Sequence, residues 1–310
     1  MPGIRVWKSN FGSVHITISQ ELTMPKKTPV TSTMSWEYLL APAIRWPEDL
    51  EHQEQPQLDM DLVKLVKDRT EELHQKGYFV TVSHNGIFDM PRRCLRGTEQ
   101  WLIDLIKDPP FARKLIEFAA KPVMEITNVI IEEAHVDAVH VVGDMGTPNG
   151  PFISPRYYKE FIYPWHRKLA ESYHKRGAFF FIHSHGYLMP IMGDMVKAGF
   201  DAVDPVSPLC GMSLAEMKEK YGDRVTLWAD LSCKMESDGK IDTLKYGRVT
   251  CGLEPVQSII SLLKYTLKIG APGGGFILRI ATRAFRNEKE KEIFNKVWEK
   301  LRCYPIIQTL

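Results

Sequence analysis

The chain has no long apolar run, few cysteines and almost no surplus of either charge. The longest apolar run, residues 178–182, is far shorter than a transmembrane helix needs, and the first twenty residues hold no apolar segment typical of a secretory signal. Forty Lys and Arg residues against 38 Asp and Glu give a net charge of +2, so neither nucleic acid nor a membrane surface is expected as a partner. The five cysteines form no Cys-x-x-Cys pair, which favours reduced thiols and a cytoplasmic location.

Two nucleotide-binding motifs are also missing. No Gly-x-Gly-x-x-Gly follows a predicted strand, and no Gly-x-x-x-x-Gly-Lys-Ser/Thr occurs, so dinucleotide and P-loop functions lose their main support. The remaining composition, 44% hydrophobic and 25% charged, is typical of globular proteins. A length of 310 residues suits two average domains, or one αβ barrel with additions.

Residues 1–57 are interrupted by prolines at positions 2, 25, 29, 42, 47 and 56 and contain only short strand-like pieces, such as 14–19. We predict an irregular N-terminal arm or lid here. Residues 58–310 are predicted to form the main domain.

Strand and helix patterns alternate from residue 58 onward. Helices are predicted at 58–76, 101–106, 111–134, 155–175, 188–198, 214–221, 255–269 and 287–301. Six strands are predicted, at 78–83, 136–143, 178–184, 202–206, 225–231 and 276–280. This order indicates a parallel α/β fold. An eight-stranded barrel needs two further strands, so an open doubly wound sheet stays an alternative.

Polar side chains stand at or near the end of every predicted strand. They are His84, Asn85, Asp144, His183, His185, Asp204, Asp230 and Arg279. Because catalytic groups of parallel barrels lie at the C-terminal ends of the strands, we expect one polar site at that end of the barrel.

The sharpest local pattern is His183-Ser184-His185. Alternate residues of a strand point to the same side, so both imidazoles could converge on one metal ion or one anion. Alternatively, one imidazole faces the pocket while the other hydrogen-bonds to a backbone carbonyl. Asp144 is a candidate general base, metal ligand or substrate anchor, or simply a loop-ordering carboxylate.

Several further residues are weaker candidates. Tyr163 and His166 lie on the helix after Asp144 and either reach the pocket or pack between layers. Cys210 and Cys233 follow strand ends and are possible thiolate ligands. Glycines 273–275 either cradle an anion or form a turn that leads into a strand.

Five segments of the chain together resemble the uroporphyrinogen decarboxylase superfamily. They are Gly-Asp-Met-Gly-Thr at 143–147, the run at 153–164 that begins Ile-Ser-Pro-Arg-Tyr-Tyr, Phe-Ile-His-Ser-His-Gly at 181–186, Gly-Phe-Asp-Ala-Val-Asp-Pro at 199–205 and Gly-Gly-Gly-Phe-Ile-Leu at 273–278. The resemblance covers about residues 60–300 and implies a TIM-type (β/α)8 barrel. Relative to that family the N-terminal region is expected to be irregular and truncated.

This superfamily includes cofactor-free decarboxylases of uroporphyrinogen and cobalamin-dependent methyltransferases. The Asp-x-Gly-Thr segment and the Gly-Gly-Gly-Phe-Ile-Leu strand resemble the methyltransferase branch more closely. That resemblance implies methyl transfer between a small donor or acceptor and the cobalamin of a partner corrinoid protein. It also implies zinc, bound through a His-x-Cys-Gly motif and a later thiolate. His183 carries over, His185 replaces the cysteine, and residues 280–283 offer no thiolate.

The leading hypothesis is therefore a methyltransferase-like enzyme. Its catalytic residues would be Asp144, His183, His185 and Tyr163, with His183 and His185 as metal ligands. Substrate contacts would come from the remaining polar strand-end residues, which are His84, Asn85, Asp204, Asp230 and Arg279.

Two alternatives stay open. One is a decarboxylase that pairs substrate carboxylates with Arg279 and Arg283. The other is a barrel that has lost its chemistry and serves as a binding subunit. An oligomer is compatible with each of these functions.

Overall fold

We describe a computed structural model of the chain. It covers residues 3–8, 14–23, 31–230, 234–235, 241–242, 256–279 and 288–302, with side chains for 41–208, 210–229, 260–279 and 288–301. Asp230 is therefore described by its backbone alone. Arg283, Cys233 and positions 280–283 as a group lie outside the described residues.

The strands and helices follow the predicted alternation. The strands are β1 Gly3–Lys8, β2 Val14–Thr23, β3 Thr31–Ala41, β4 Thr81–Asn85, β5 Ala138–Val142, β6 Gly146–Thr147, β7 Gly150–Pro151, β8 Phe179–His183, β9 Ala202–Val206, β10 Thr226–Asp230, β11 Lys234–Met235, β12 Ile241–Asp242 and β13 Phe276–Arg279. The helices are α1 Met60–Gln75, α2 Thr98–Lys107, α3 Pro109–Ala134, α4 Pro155–Tyr157, α5 Tyr163–His174, α6 Met189–Ala198, α7 Leu214–Tyr221, α8 Val256–Gly270 and α9 Glu288–Arg302.

Six parallel strands form the central sheet, in the order β13-β10-β9-β8-β5-β4. Among these six, each strand pairs with the one that follows it in the chain, and helices lie between them. A doubly wound sheet reverses its strand order at a switch point, and no reversal occurs among the described strands. The fold is therefore the TIM-type α/β barrel architecture, of which the described residues supply six strands.

The two faces of this sheet differ in what they bury. Residues such as Val139, Phe180 and Leu227 face the helices and are completely buried in the main core. On the opposite, inner face, Ala138, Phe181 and Ala202 form a small separate cluster against Trp228. The alternation of side chains along each strand therefore places a second set of residues inside the barrel.

The N-terminal region is more regular than predicted. Strands β1, β2 and β3 form an antiparallel sheet, with Val14, Ile16 and Ile18 alternating along β2. The expectation of an irregular segment underestimated these β-branched residues. The described strands of this region contain no proline that would interrupt them. Its role as an arm or lid stays a prediction.

The predicted helix between residues 155 and 175 is broken into three parts. Ser154 is the N-cap of α4, and its side-chain oxygen accepts a hydrogen bond from the Tyr157 backbone N–H. A π-helical segment, Tyr158–Ile162, separates α4 from α5. Pro164 has no N–H to donate to the Glu160 carbonyl, which instead accepts from the Arg113 guanidinium at 3.1 Å. This wider turn accommodates Pro164 at the start of α5.

Strand β4 begins three residues later than predicted. The Val80 backbone N–H donates to Asp137 Oδ2 at 2.6 Å, while Tyr78 and Phe79 stay exposed before the strand. His84 and Asn85 thus belong to the strand itself and point to opposite faces.

Candidate metal centre

The loops that follow β5 and β8 are in direct backbone contact. Gly186 has a φ of +106°, and a Cβ there would lie 2.2 Å from the backbone carbonyl carbon of Gly146. The Tyr187 N–H donates to the Thr147 carbonyl at 2.8 Å and extends the contact. Only glycine allows both this approach and this backbone conformation. The two loops are therefore held at a fixed separation.

This contact brings Asp144, His183 and His185 together. Asp144 Oδ1 accepts a hydrogen bond from the His185 backbone N–H at 2.9 Å. The imidazole rings of His183 and His185 have centroids 4.7 Å apart and are nearly perpendicular. One ligand atom from each of the three side chains lies within 4.8 Å of the others, and all three side chains are partly exposed. We call this set the outer cluster.

A second cluster lies directly beside the first. His183 is the cross-strand partner of Asp204, and its Nδ1 lies 2.7 Å from Asp204 Oδ2. His140 Nε2 lies 3.4 Å from the same oxygen. His140, His183 and Asp204 also have ligand atoms within 4.8 Å of one another. We call this set the inner cluster, which shares His183 with the outer cluster.

Asp204 is ionised despite its burial. The residue is 1% exposed, and burial acts to raise its pKa. Contacts with His140 and His183, together with the charge of Arg279, outweigh burial and lower the pKa below its ordinary value. The guanidinium of Arg279 lies 3.6 Å from Asp204 Oδ1. The inner cluster thus contains a carboxylate that is ionised at neutral pH.

The outer cluster has the donor atoms of a divalent-cation site. Two imidazole nitrogens and one carboxylate oxygen are common ligands of transition metals, and this set leaves coordination positions open. The set contains no thiolate, in contrast to the zinc motif that the sequence resemblance implies. Cys94 and Cys210 belong to neither cluster, and positions 280–283 are not described. The described residues therefore fit a metal bound through nitrogen and oxygen.

His84 and Asn85 do not join these clusters in the same way. His84 points toward the helices, where its Nε2 lies 3.0 Å from the Tyr173 hydroxyl. Desolvation lowers the pKa of His84 to about 4, so the imidazole is neutral. Asn85 lies on the inner face, and the strand register connects it through Val142 to His183. Only Asn85 of this pair occupies a position from which it could meet a ligand.

Tyr163, Asp230 and Arg279 occupy three different positions relative to the clusters. Tyr163 begins α5, where its ring packs edge-on against Tyr158 in the helical layer. Asp230 is the backbone partner of Arg279 at the ends of β10 and β13. Arg279 reaches the inner cluster, whereas Tyr163 packs against Tyr158 in the helical layer. The substrate and catalytic roles of these residues stay predictions.

Two residues near the clusters were missed in the sequence. His140 is the one polar residue of β5. A polar residue within an otherwise apolar strand is the sequence feature that could have identified it as a site residue. Asp89 is 4% exposed and pairs with Arg92. Desolvation raises the pKa of Asp89 against the effect of Arg92, and the charge of Asp144 raises it further. Asp89 is thus electrostatically coupled to the outer cluster, although it follows no predicted strand directly.

Other candidates have structural roles in the described chain. His166 is buried and its Nδ1 lies 3.0 Å from the Tyr158 hydroxyl. Gly273, Gly274 and Gly275 all have positive φ and form the turn before β13.

The family comparison agrees with this architecture. Residues 36–228, well over half of the chain, match the family described as Uroporphyrinogen decarboxylase (URO-D). The chain belongs to this family, and the resemblance seen in its sequence is confirmed.

One solved structure supports the fold. A methyltransferase from Methanosarcina mazei matches with a TM-score of 0.60 and 17% identity, over 86% of this chain and 73% of its own. The 3-keto-D-glucoside 4-epimerase YcjR from E. coli matches with a TM-score of 0.41 and 11% identity, over 78% of this chain and 86% of its own. No curated protein matches the chain. Among the described residues, no helix combines the length and apolarity required to cross a bilayer.

Proposed function

We propose that this protein is a metal-dependent enzyme that transfers a methyl group between a small substrate and a corrinoid protein. The observation that carries the proposal is the outer cluster, in which Asp144, His183 and His185 present three potential ligand atoms within 4.8 Å of one another. Family membership and the fold of the M. mazei methyltransferase add support. A cytoplasmic location fits this function and stays a prediction.

The chain's own residues would bind and orient the reactants. His183 and His185 would hold the cation through neutral nitrogens, and Asp144 would add a negatively charged oxygen. A bound divalent cation would supply Lewis acidity that polarises the substrate heteroatom and makes the methyl group more electrophilic. The Gly146–Gly186 contact keeps the two ligand-bearing loops together, so the site needs little rearrangement on binding.

The donor set also suggests the kind of cation. Nitrogen and oxygen ligands without thiolate accept several first-row divalent metals, whereas thiolates favour zinc. We therefore expect zinc to be only one of the metals that bind, and the bound metal to activate a thiol substrate less than a thiolate site would.

The direct test follows the corrinoid spectrum. The full-length protein would be loaded with metal and mixed with methylcobalamin or cob(I)alamin and candidate thiol, methanol, methylamine or aryl-ether substrates. We expect an absorption change for the wild type that is absent from the His183→Ala variant. No change with any donor or acceptor would contradict corrinoid methyl transfer.

A decarboxylase is the second candidate, because Arg279 reaches the end of the inner face and the matching family includes uroporphyrinogen decarboxylases. Against it, the charge of Arg279 is partly compensated by Asp204, which weakens its attraction for a substrate carboxylate. Incubation with uroporphyrinogen and chromatography of the products would decide this. A barrel without catalytic activity would show no turnover in either assay and no stoichiometric metal.

A further inference from the structure

Asp204 makes unusually many polar contacts for a residue that is 1% exposed. Its Oδ2 lies 2.7 Å from His183 Nδ1 and 3.4 Å from His140 Nε2. Its Oδ1 lies 3.6 Å from the Arg279 guanidinium and has no hydrogen-bond partner among the described residues. Because this carboxylate is buried and already contacts three side chains, it is poorly placed to bind a substrate directly.

The contact with His183 determines which imidazole nitrogen carries the proton. Asp204 Oδ2 lies 2.7 Å from His183 Nδ1, and the Arg279 guanidinium lies 3.6 Å from Asp204 Oδ1. This geometry places the carboxylate as the acceptor and His183 Nδ1–H as the donor. In the neutral ring Nε2 then keeps its lone pair and is the nitrogen available to a metal. Histidines that bind metals commonly donate their second ring N–H to a carboxylate, which fixes both the tautomer and the ring orientation.

The strands hold this pair without help from a loop. His183 and Asp204 are direct partners in the parallel β8–β9 ladder, so their side chains lie on the same face. His140 occupies the adjacent strand and stacks on Trp228, with ring centroids 5.6 Å apart and planes 16° from parallel. This packing limits the space into which either partner could rotate.

A second cation within the inner cluster is less compatible with these contacts. His140, His183 and Asp204 have suitably close donor atoms, but the hydrogen bond already engages His183 Nδ1. In addition, the positive guanidinium of Arg279 lies 3.6 Å from the same carboxylate and would repel a metal ion.

We infer that Asp204 is a positioning residue that holds His183 in the Nδ1–H tautomer, with Nε2 available for the metal of the outer cluster. The inference rests on the metal site in the proposed function. It assigns Asp204 to the support of a ligand, in place of the substrate contact that its strand-end position suggested.

The first test measures binding of Zn²⁺ and Co²⁺ to the full-length protein by calorimetry. We expect Asp204→Asn to weaken affinity by about 10–100-fold while the number of ions bound stays unchanged. Asp201→Asn is the matched control, since Asp201 contacts His174 Nε2 at 2.7 Å and belongs to neither cluster. The control should bind metal like the wild type. Loss of one of two bound ions in Asp204→Asn would instead indicate a second cation and overturn the inference.

The second test determines the tautomer of His183 in the metal-free protein. It uses ¹⁵N NMR of the imidazoles at about pH 8, where an ordinary histidine is neutral. We expect His183 of the wild type to be protonated on Nδ1, and this preference to weaken in Asp204→Asn. A wild-type His183 protonated on Nε2 would overturn the inference even if every variant failed to fold. Unchanged affinity and tautomer in Asp204→Asn would also overturn it while leaving wild-type metal binding intact. Absence of metal from the wild type would refute the metal site itself.

Discussion

His183 is the one side chain that belongs to both clusters. It contributes to the outer cluster with Asp144 and His185 and to the inner cluster with His140 and Asp204. Its position at the last residue of β8 explains this double membership, since the strand ladder fixes one side and the loop the other. The chemistry of the site therefore depends more on His183 than on any other described residue.

Removal of His183 should eliminate metal binding. We expect His183→Ala to lose stoichiometric Zn²⁺ and Co²⁺ in equilibrium dialysis, because two remaining ligands hold a cation poorly. His174→Ala is the matched control, since His174 also contacts an aspartate at 2.7 Å but lies outside both clusters. A His183→Ala variant that retains a full equivalent of metal would contradict the ligand assignment.

Acid stability should depend on His166. Burial lowers the pKa of this imidazole from its ordinary 6.5 to about 3, so the unfolded chain takes up a proton at higher pH than the folded chain. Stability from this residue is fully present above about pH 6.5 and is lost as the pH falls toward 3. Between pH 7.5 and pH 5 the loss should be about 2 kcal/mol in the free energy of unfolding.

The variant His166→Gln tests this dependence, because glutamine can still bond to Tyr158 but does not titrate. Urea titrations would measure the free energy of unfolding of both proteins at pH 7.5 and pH 5. We expect the decrease between these pH values to be about 2 kcal/mol smaller in the variant than in the wild type. Equal changes in both proteins would mean that His166 does not contribute to acid sensitivity.

Among the loops, the Gly146–Gly186 contact should tolerate no side chain. Gly186→Ala would place a methyl group 2.2 Å from a backbone carbon at a positive φ, so the two loops must separate. We expect a lower melting temperature and a large loss of metal affinity, measured by calorimetry. Gly177→Ala has a φ of +85° but no atom within 4 Å of the new methyl. It should lower stability modestly and leave metal affinity unchanged.

Between α2 and the chain before α1, Arg96 forms a buried connection. Its guanidinium pairs with Asp104, both side chains being 6% exposed, and it also donates to the Arg45 carbonyl. Arg96→Leu should lower the free energy of unfolding by about 3–5 kcal/mol because it leaves a buried carboxylate unpaired.

Denaturant titration would measure this loss. The double variant with Asp104→Leu should recover much of it, since no unpaired charge remains. Arg69→Leu, at a surface pair with Glu72, should cost less than about 1 kcal/mol. If Arg96→Leu lowers the free energy of unfolding no more than Arg69→Leu does, burial of the Arg96–Asp104 pair does not increase its contribution to stability.

Local patterns predicted the elements well, and the reasons are visible at their ends. The Ser154 cap, the glycine after α6 and the apolar strand β9 all act over a few residues, so the sequence near them is sufficient. The start of β4 is different, because Asp137 fixes it from 57 positions away. His84, near the other end of the same strand, faces the helices and contacts Tyr173, which is 89 positions away in the chain.

The candidate site was predictable to a similar degree. The His183-Ser184-His185 spacing and the Asp144 strand end located the outer cluster. The burial of Asp204 and its contact with His183 depend on the β8–β9 register. Register describes how two strands pair, so the residue pattern of one strand could not predict it.

Metal binding should stabilise the complete fold, because the ligands come from strands and loops that approach only in the folded chain. At a free Zn²⁺ concentration 100 times the dissociation constant, the free energy of unfolding should rise by about 2.7 kcal/mol. Thermal unfolding with and without metal would measure the shift, and His183→Ala should abolish it. An equal shift in that variant would assign the stabilisation to other sites.

The sequential order of the parallel strands has a consequence for synthesis of the protein. From β5 to β10, each strand of the central sheet pairs with the central-sheet strand that precedes it in the chain. Repeating units can therefore dock one after another as the chain leaves the ribosome. The contacts that build the site span only 41 residues between Asp144 and His185 and 21 between His183 and Asp204. We therefore expect a nascent chain to assemble both clusters before Arg279 has been translated.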